Sequence, residues 1–280
     1  MMMRNPIGIM QGRLSPPGGG RIQSFPVATW CEEFSLARKA GLDCIEWIYE
    51  AETETTNPLR IDEGVAEMRQ QIEKSKVAIW SVCADYYMTE RLVLPDGAPR
   101  ESAVEHLIWL IGRVELFGAR YIVLPFVDES SLRSSREVEG LLEILKSVMP
   151  VAEQNGVELH LETDLQPAEL AAVLESVGRP WIRANYDIGN SASLGRDPAE
   201  ELKLLETWLG SVHVKDRELG GGTVLLGKGN ADFPTCFQLF CGAGFDGPFI
   251  LQTSREEGLS EVELAIHNRR FVEEQLAAVT

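Results

Sequence analysis

Short apolar runs alternate along the chain with longer stretches in which apolar residues recur every three or four positions. The runs end near Gln11, Glu46, Val82, Leu124, Glu162, Asp187, His213 and Gln252. Successive ends lie about 34 residues apart on average, the size of one strand-loop-helix unit. Eight such runs, seven intervening helices and a last helix from Glu261 to Ala277 fill the sequence. Gly41-Leu42-Asp43 and Asn155-Gly156 read as helix-to-strand turns, with glycine where positive φ is needed. Asp197-Pro198-Ala199-Glu200 reads as a helix start, with aspartate as N-cap and proline at the first helical position. Strands alternating with helices imply parallel pairing. Eight repeats predict closure into a single (β/α)8 barrel over residues 1–280, an α/β fold of one domain. An open doubly wound sheet would carry GxGxxG or GxxxxGK[ST] after its first strand. The first loop, Gln11-Gly12-Arg13-Leu14-Ser15-Pro16-Pro17-Gly18-Gly19-Gly20, fits neither. The glycines at 220–222 and in Gly227-Lys228-Gly229 flank Thr223 to Leu226, and read as a small hairpin within a long loop rather than a phosphate cradle.

The composition suits a folded globular chain: 280 residues, 44% hydrophobic and 25% charged. A formal net charge of −17 argues against nucleic acid and against anionic membrane surfaces as partners, since both need a basic face. Cys31, Cys44, Cys83, Cys236 and Cys241 are odd in number and form no CxxC pair, which fits reduced thiols in a cytoplasmic protein. After Met1-Met2-Met3-Arg4, the apolar stretch from Ile7 to Met10 is too brief for a signal-peptide core. The longest apolar region, Leu107 to Val127, is cut by Arg113, Glu115 and Arg120 and is not expected to span a bilayer.

Barrel enzymes place their chemistry at the C-terminal ends of the strands. In Glu158-Leu159-His160-Leu161-Glu162 the leucines alternate with three polar residues that point inward. By the same parity Asn185 and Asp187, then Ser211, His213 and Lys215, then Gln252 face the barrel axis. Taken singly, Glu162 reads as half of an ion pair, Asp187 as a helix cap and His213 as a hydrogen-bonded core histidine. Together they bring Glu, Asp, His and Gln to one rim on four consecutive strands, where burial without a partner would be costly. A bound divalent cation removes that cost. Three oxygen donors and one imidazole suit Mn²⁺ or Mg²⁺, with Co²⁺ or Zn²⁺ as alternatives.

Ile7-Gly-Ile-Met-Gln-Gly-Arg13, Gly41-Leu-Asp-Cys-Ile-Glu-Trp47, Leu161-Glu-Thr-Asp164, Asn185-Tyr-Asp-Ile-Gly-Asn190, Val212-His-Val-Lys-Asp216 and Leu226-Gly-Lys-Gly-Asn-Ala-Asp232 together cover essentially the whole chain. In these segments it resembles the sugar phosphate isomerase/epimerase family of the xylose isomerase-like TIM barrels. The resemblance implies a metal held by a Glu, an Asp, a His and a second Glu from the last four strands. Glu162, Asp187 and His213 match the first three. Gln252 stands where epimerases of the group have the second glutamate, and Asn190 where the family often has histidine. In those epimerases the two glutamates also move the protons, from opposite faces of the sugar. Glutamine ligates through its carbonyl oxygen but accepts no proton at neutral pH. Lys215, His160, Asp216 and Glu46 are therefore the expected substitutes for the missing acid–base group.

The exchange also sets the charge. A divalent cation with Glu162 and Asp187 sums to zero, which favours an anionic enediolate or a phosphorylated sugar. Arg13, Lys215, Lys228 and Arg255 are rim cations for such a group, with Glu46, Asn190 and Asp216 as further expected substrate contacts. Trp47, Tyr86 and Tyr87 lie near strand ends; a ring stacking on a sugar and core packing are both open readings, and Trp47 shares the outward face with Ile45.

The expected activity is thus metal-dependent proton transfer beside a ketose carbonyl, giving isomer or epimer. Elimination from a keto-sugar or inosose shares the opening step and is the alternative; a non-catalytic sugar-binding barrel is the third reading. A trinuclear zinc nuclease is excluded by charge and by the count of four histidines, of which His106 and His267 fall in predicted helices. The expected partner is a small sugar or sugar phosphate, and a homo-oligomer is compatible with the sequence.

Overall fold

A computed structural model describes residues 5–17, 22–178 and 180–279; Met1 to Arg4 and the glycines at 18–20 of the first loop lie outside the described residues. Eight parallel strands close into a barrel: β1 (Ile7–Met10), β2 (Cys44–Ile48), β3 (Ala78–Cys83), β4 (Tyr121–Phe126), β5 (Glu158–Thr163), β6 (Ile182–Asp187), β7 (Leu209–Val214) and, after a small hairpin of β8 (Asp216–Arg217) and β9 (Thr223–Val224), β10 (Phe249–Leu251). Each barrel strand ends within two residues of its sequence-predicted end. The hairpin is the one expected around Thr223.

The local signals act as read. Gly41 and Gly156 end their helices in the left-handed conformation, at φ 76° and 65°. Asp197 caps the helix Pro198–Leu205 by accepting from Ala199 N, and the last helix runs Glu261–Val279. Two connections carry an extra short helix beside the barrel mouth, Tyr86–Thr89 after β3 and Ile188–Ser193 after β6. Among the described residues no helix is long and apolar enough to cross a membrane.

Two registers shift, between Ile45 and Glu46 on β2 and between Ala184 and Asn185 on β6. Such irregularities re-aim the side chains beside them. Both sit at residues that join the interior hydrogen-bond network described below.

Outside the barrel, Trp47 is fully buried among Phe25, Trp30 and Phe34, with ring centroids 5.4–6.5 Å away, and its indole N–H donates to Asn57 Oδ1 at 3.0 Å. It is a core residue, not a sugar platform. Trp47→Ala is expected to cost about 3–5 kcal/mol through lost transfer energy and the cavity left behind. The check is a fall in the urea midpoint at constant slope.

Candidate active site

Three of the four expected ligands come together. Glu162, Asp187 and His213 are buried, and each places a ligand-type atom within 4.8 Å of the others. His213 Nε2 donates to Glu46 Oε1 at 2.7 Å, and Ser81 Oγ donates to the other oxygen of Glu46 at 2.6 Å. This leaves His213 Nδ1 facing the cluster, 3.1 Å from Glu162 Oε2 and 3.8 Å from Asp187 Oδ2. A carboxylate on the far nitrogen is the arrangement that fixes ring orientation in metal-binding histidines. Burial alone lowers the imidazole pKa, but Glu46 and Glu162 outweigh it and push it up to about 10.

Glu162 is held on both oxygens. Oε1 accepts from Asn190 Nδ2 at 2.8 Å and Oε2 from Asn185 Nδ2 at 3.0 Å. Asp187 caps the following short helix by accepting from Asn190 N at 2.8 Å, through Oδ1. Its Oδ2 has Lys215 Nζ at 2.6 Å as an ion-pair partner but no well-directed hydrogen bond. Gln252 donates from Nε2 to Gln23 Oε1 at 2.9 Å, and its buried carbonyl oxygen has no partner among the described residues. Asp187 Oδ2, beside the carboxylate of Glu162 and the imidazole nitrogen of His213, belongs to a donor set that a hard divalent cation satisfies.

The cluster borders a cavity of about 480 Å³ at the barrel mouth, large enough for a sugar. Of the expected residues, Arg13, Glu162, Asn190, Lys215 and Gln252 line it. Cations and acids share the walls: Arg13, Lys215 and Arg217 against Glu50, Glu52, Asp85, Asp128 and Glu162.

The other expected residues are placed elsewhere. Glu46 has no exposure and serves His213. His160 lies deeper in the barrel, stacked on Tyr121 at 4.0 Å and donating to Glu158 at 3.0 Å; burial lowers its pKa. Asp216 has no exposure either and accepts from Gly229 N and Ala231 N at 2.8 and 3.1 Å, which ties down the Gly-Lys-Gly loop. That loop leaves Lys228 exposed and off the cavity wall.

Arg255 clamps the first loop rather than facing substrate: it donates to Gly12 O and Ser15 O at 2.7 and 2.8 Å. From below, Glu33 accepts from Gly12 N and Leu14 N, and burial pushes its carboxyl up to about 7. Gly12 itself has φ 81°, and a Cβ there would meet Ser24 O at 2.5 Å. The clamp sets Arg13, which donates to Ile22 O and, at 3.3 Å, to Gln23 Oε1; burial first and Arg255 second lower its pKa to about 10. Tyr86 stacks on His106 at 4.1 Å and Tyr87 donates to His106 Nδ1, so neither ring is free for a sugar.

Sequence reasoning missed four residues of the site. Arg217 continues the parity of His213 and Lys215 past the strand end and donates to Asn190 Oδ1 at 2.9 Å; extending the alternation by two residues would have found it. Asn185 was read as inward but given no role. Gln23 and Asp85 lie on loops with no periodic signal.

Comparison with known proteins follows the same lines. Residues 34–275 match the profile of the family described as xylose isomerase-like TIM barrel. The chain is 25% identical over 260 residues to L-ribulose-5-phosphate 3-epimerase UlaE of Escherichia coli (strain SMS-3-5 / SECEC), covering 89% of this chain and 90% of the relative. Its fold is shared with a structure of L-ribulose 3-epimerase, at TM-score 0.73 and 19% identity over 99% of this chain and 96% of that one. A structure of the IOLI protein with a binding zinc atom superposes at TM-score 0.77 and 15% identity, over 98% of this chain and 99% of the other.

Proposed function

Because the chain belongs to the xylose isomerase-like TIM barrel family, we propose that it is a divalent-metal-dependent isomerase or epimerase of a ketose or ketose phosphate. One observation carries the reading: ligand atoms of Glu162, Asp187 and His213 lie within 4.8 Å of one another, and Glu162 and Gln252 line a sugar-sized cavity. Glu162, Asp187, His213 and Gln252 would hold the ion, and Mn²⁺ or Mg²⁺ suits three oxygens and one imidazole. When bound, the ion supplies Lewis acidity toward the oxygens of the sugar.

The chain's own residues do the rest. Glu162, oriented by Asn190 and Asn185, takes the proton from the carbon next to the ketose carbonyl. Lys215, Arg217 and Arg13 line the same cavity and hold negative charge, either on the enediolate oxygens or on a phosphate. Return of the proton to the other face gives the epimer; return to the neighbouring carbon gives the isomer. The name of the UlaE relative supports a ketopentose phosphate as the first substrate to try.

The test is a screen in D₂O over ketoses and their phosphates, with and without Mn²⁺, read by NMR. The expected result is deuterium at the carbon beside the carbonyl, together with a new sugar, only when the ion is present. A dehydrated product would identify an elimination instead. Binding without exchange would leave a sugar-binding barrel.

A further inference from the structure

With Gln252 unable to carry a proton, an epimerase reading leaves one proton transfer without a residue. None of the sequence candidates fills the gap: Glu46, His160 and Asp216 do not line the cavity, and Lys215 is paired with Asp187. We propose that Asp85, on the loop after β3, is the second proton-transfer residue, acting on the face of the sugar opposite Glu162. This rests on the function proposed above.

The geometry is specific. In the closed barrel β1 stands across from β5, flanked by β10 and β2. Gln23, on the loop after β1, reaches the loop after β3, where Asp85 lines the same cavity as Glu162 two strands away on β5. Gln252 and Arg13 both donate to Gln23 Oε1, which fixes the amide and aims its Nε2 at Asp85 Oδ2, 2.7 Å away. Cys83 Sγ donates to the other oxygen, Asp85 Oδ1, at 3.2 Å. The chain from Gln252 through Gln23 therefore ends on an ionisable group that is gripped on both oxygens and lines the cavity.

The other carboxyls of that wall are engaged or exposed: Glu50 accepts from Phe25 N and Thr53 Oγ1, and Glu52 and Asp128 are exposed. The groups facing Asp85 are Cys83 at the end of β3, Glu50 after β2, Glu162 from β5 and Arg13 from the first loop. Burial first, then the charges of Glu162 and Glu50, raise its carboxyl to about 6 against the hydrogen bonds of Gln23 and Cys83. A general acid or base works best with a pKa near the working pH.

In the forward step Glu162 takes the C–H proton while its electron pair passes into the enediolate. The protonated Asp85 then gives its proton to that carbon from the other side. The enzyme's proton count is unchanged; Glu162 ends protonated, Asp85 ionised, and each resets by exchange with water. No oxidant or reductant is involved.

The experiment compares wild type, Asp85→Asn and Asp85→Glu on L-ribulose 5-phosphate with Mn²⁺ in D₂O. Asp85→Asn is expected to lose epimer formation by at least ~10². Deuterium should still enter the recovered substrate, because Glu162 can remove and return a proton on its own face. Asp85→Glu should restore part of the turnover. Where Asp85 donates, kcat/KM should fall as pH rises through about 6, and that limb should vanish in Asp85→Asn.

Unchanged turnover in Asp85→Asn overturns the assignment and leaves the function standing. Loss of exchange along with turnover, in a folded variant, also overturns it, since Asp85 would then be supporting Glu162. No exchange by wild type on any ketose or ketose phosphate overturns the function itself. Should Asp85→Asn not fold, carboxyl titration by NMR in the wild type decides: a midpoint near about 6 supports the assignment, and one near ~4, the ordinary value, overturns it.

Discussion

Asp187→Ala and His213→Ala are each expected to abolish tight binding of divalent cation, weakening it by more than ~10² relative to wild type. Loss of an outer-shell partner alone typically costs 10- to 100-fold, and these changes remove direct donors. The structure adds a reason specific to each. Without Asp187, Lys215 loses the carboxylate that holds its ammonium at 2.6 Å, leaving a cation beside the ion's position. Without His213, Glu46 keeps Ser81 as a partner at 2.6 Å but loses its cation-capable one and becomes an unbalanced buried charge, the costly case for a broken ion pair. Calorimetric titration with Mn²⁺ checks both. Wild-type affinity in either variant would remove that residue from the site.

Glu162→Gln is expected to lower turnover by at least ~10², which is about 3 kcal/mol or more of transition-state stabilisation, with bound metal largely retained. An amide still offers one oxygen but accepts no proton. Both Glu162 oxygens face side-chain N–H groups, of Asn190 and Asn185, so the new NH₂ must meet one of those donors. Asn190 cannot simply turn round, because its own oxygen accepts from Lys215 and Arg217 at 3.3 and 2.9 Å. A small drop in melting temperature should therefore accompany the loss of rate. Turnover equal to wild type, with metal bound, would make Glu162 a ligand only.

The barrel and its cluster were legible for one reason: strand parity. Glu162, Asp187, His213 and Gln252 lie on or just past strand ends, where an alternation of two fixes which residues point inward, and the folded chain brings the first three together as that rule requires. The same rule misled where depth matters. Glu46 and His160 do point inward, but parity does not say how far down the axis a residue sits, and both lie beneath the cavity. Loops follow no period at all. Arg255 and Asp216 looked like rim charges, yet each is consumed by backbone groups of a neighbouring loop. Gln23 and Asp85 looked like nothing in particular, and their place became visible only when the first loop folded back over β3.

The barrel interior carries one further consequence, for how this sequence is able to drift. Glu158 accepts from His160 at 3.0 Å, His160 Nδ1 lies 2.8 Å from Ser211 Oγ, Ser211 donates to Asn185 at 2.6 Å, and Asn185 donates to Glu162. An apolar interior of the same size would tolerate swaps that conserve volume. Here each position is defined by direction as well as size, and losing one member leaves a buried neighbour unsatisfied. Evolution along this column must therefore proceed by coordinated replacement, with intermediates less fit than either end. A laboratory lineage selected for a new sugar should change its loops long before it changes Ser211 or Asn185.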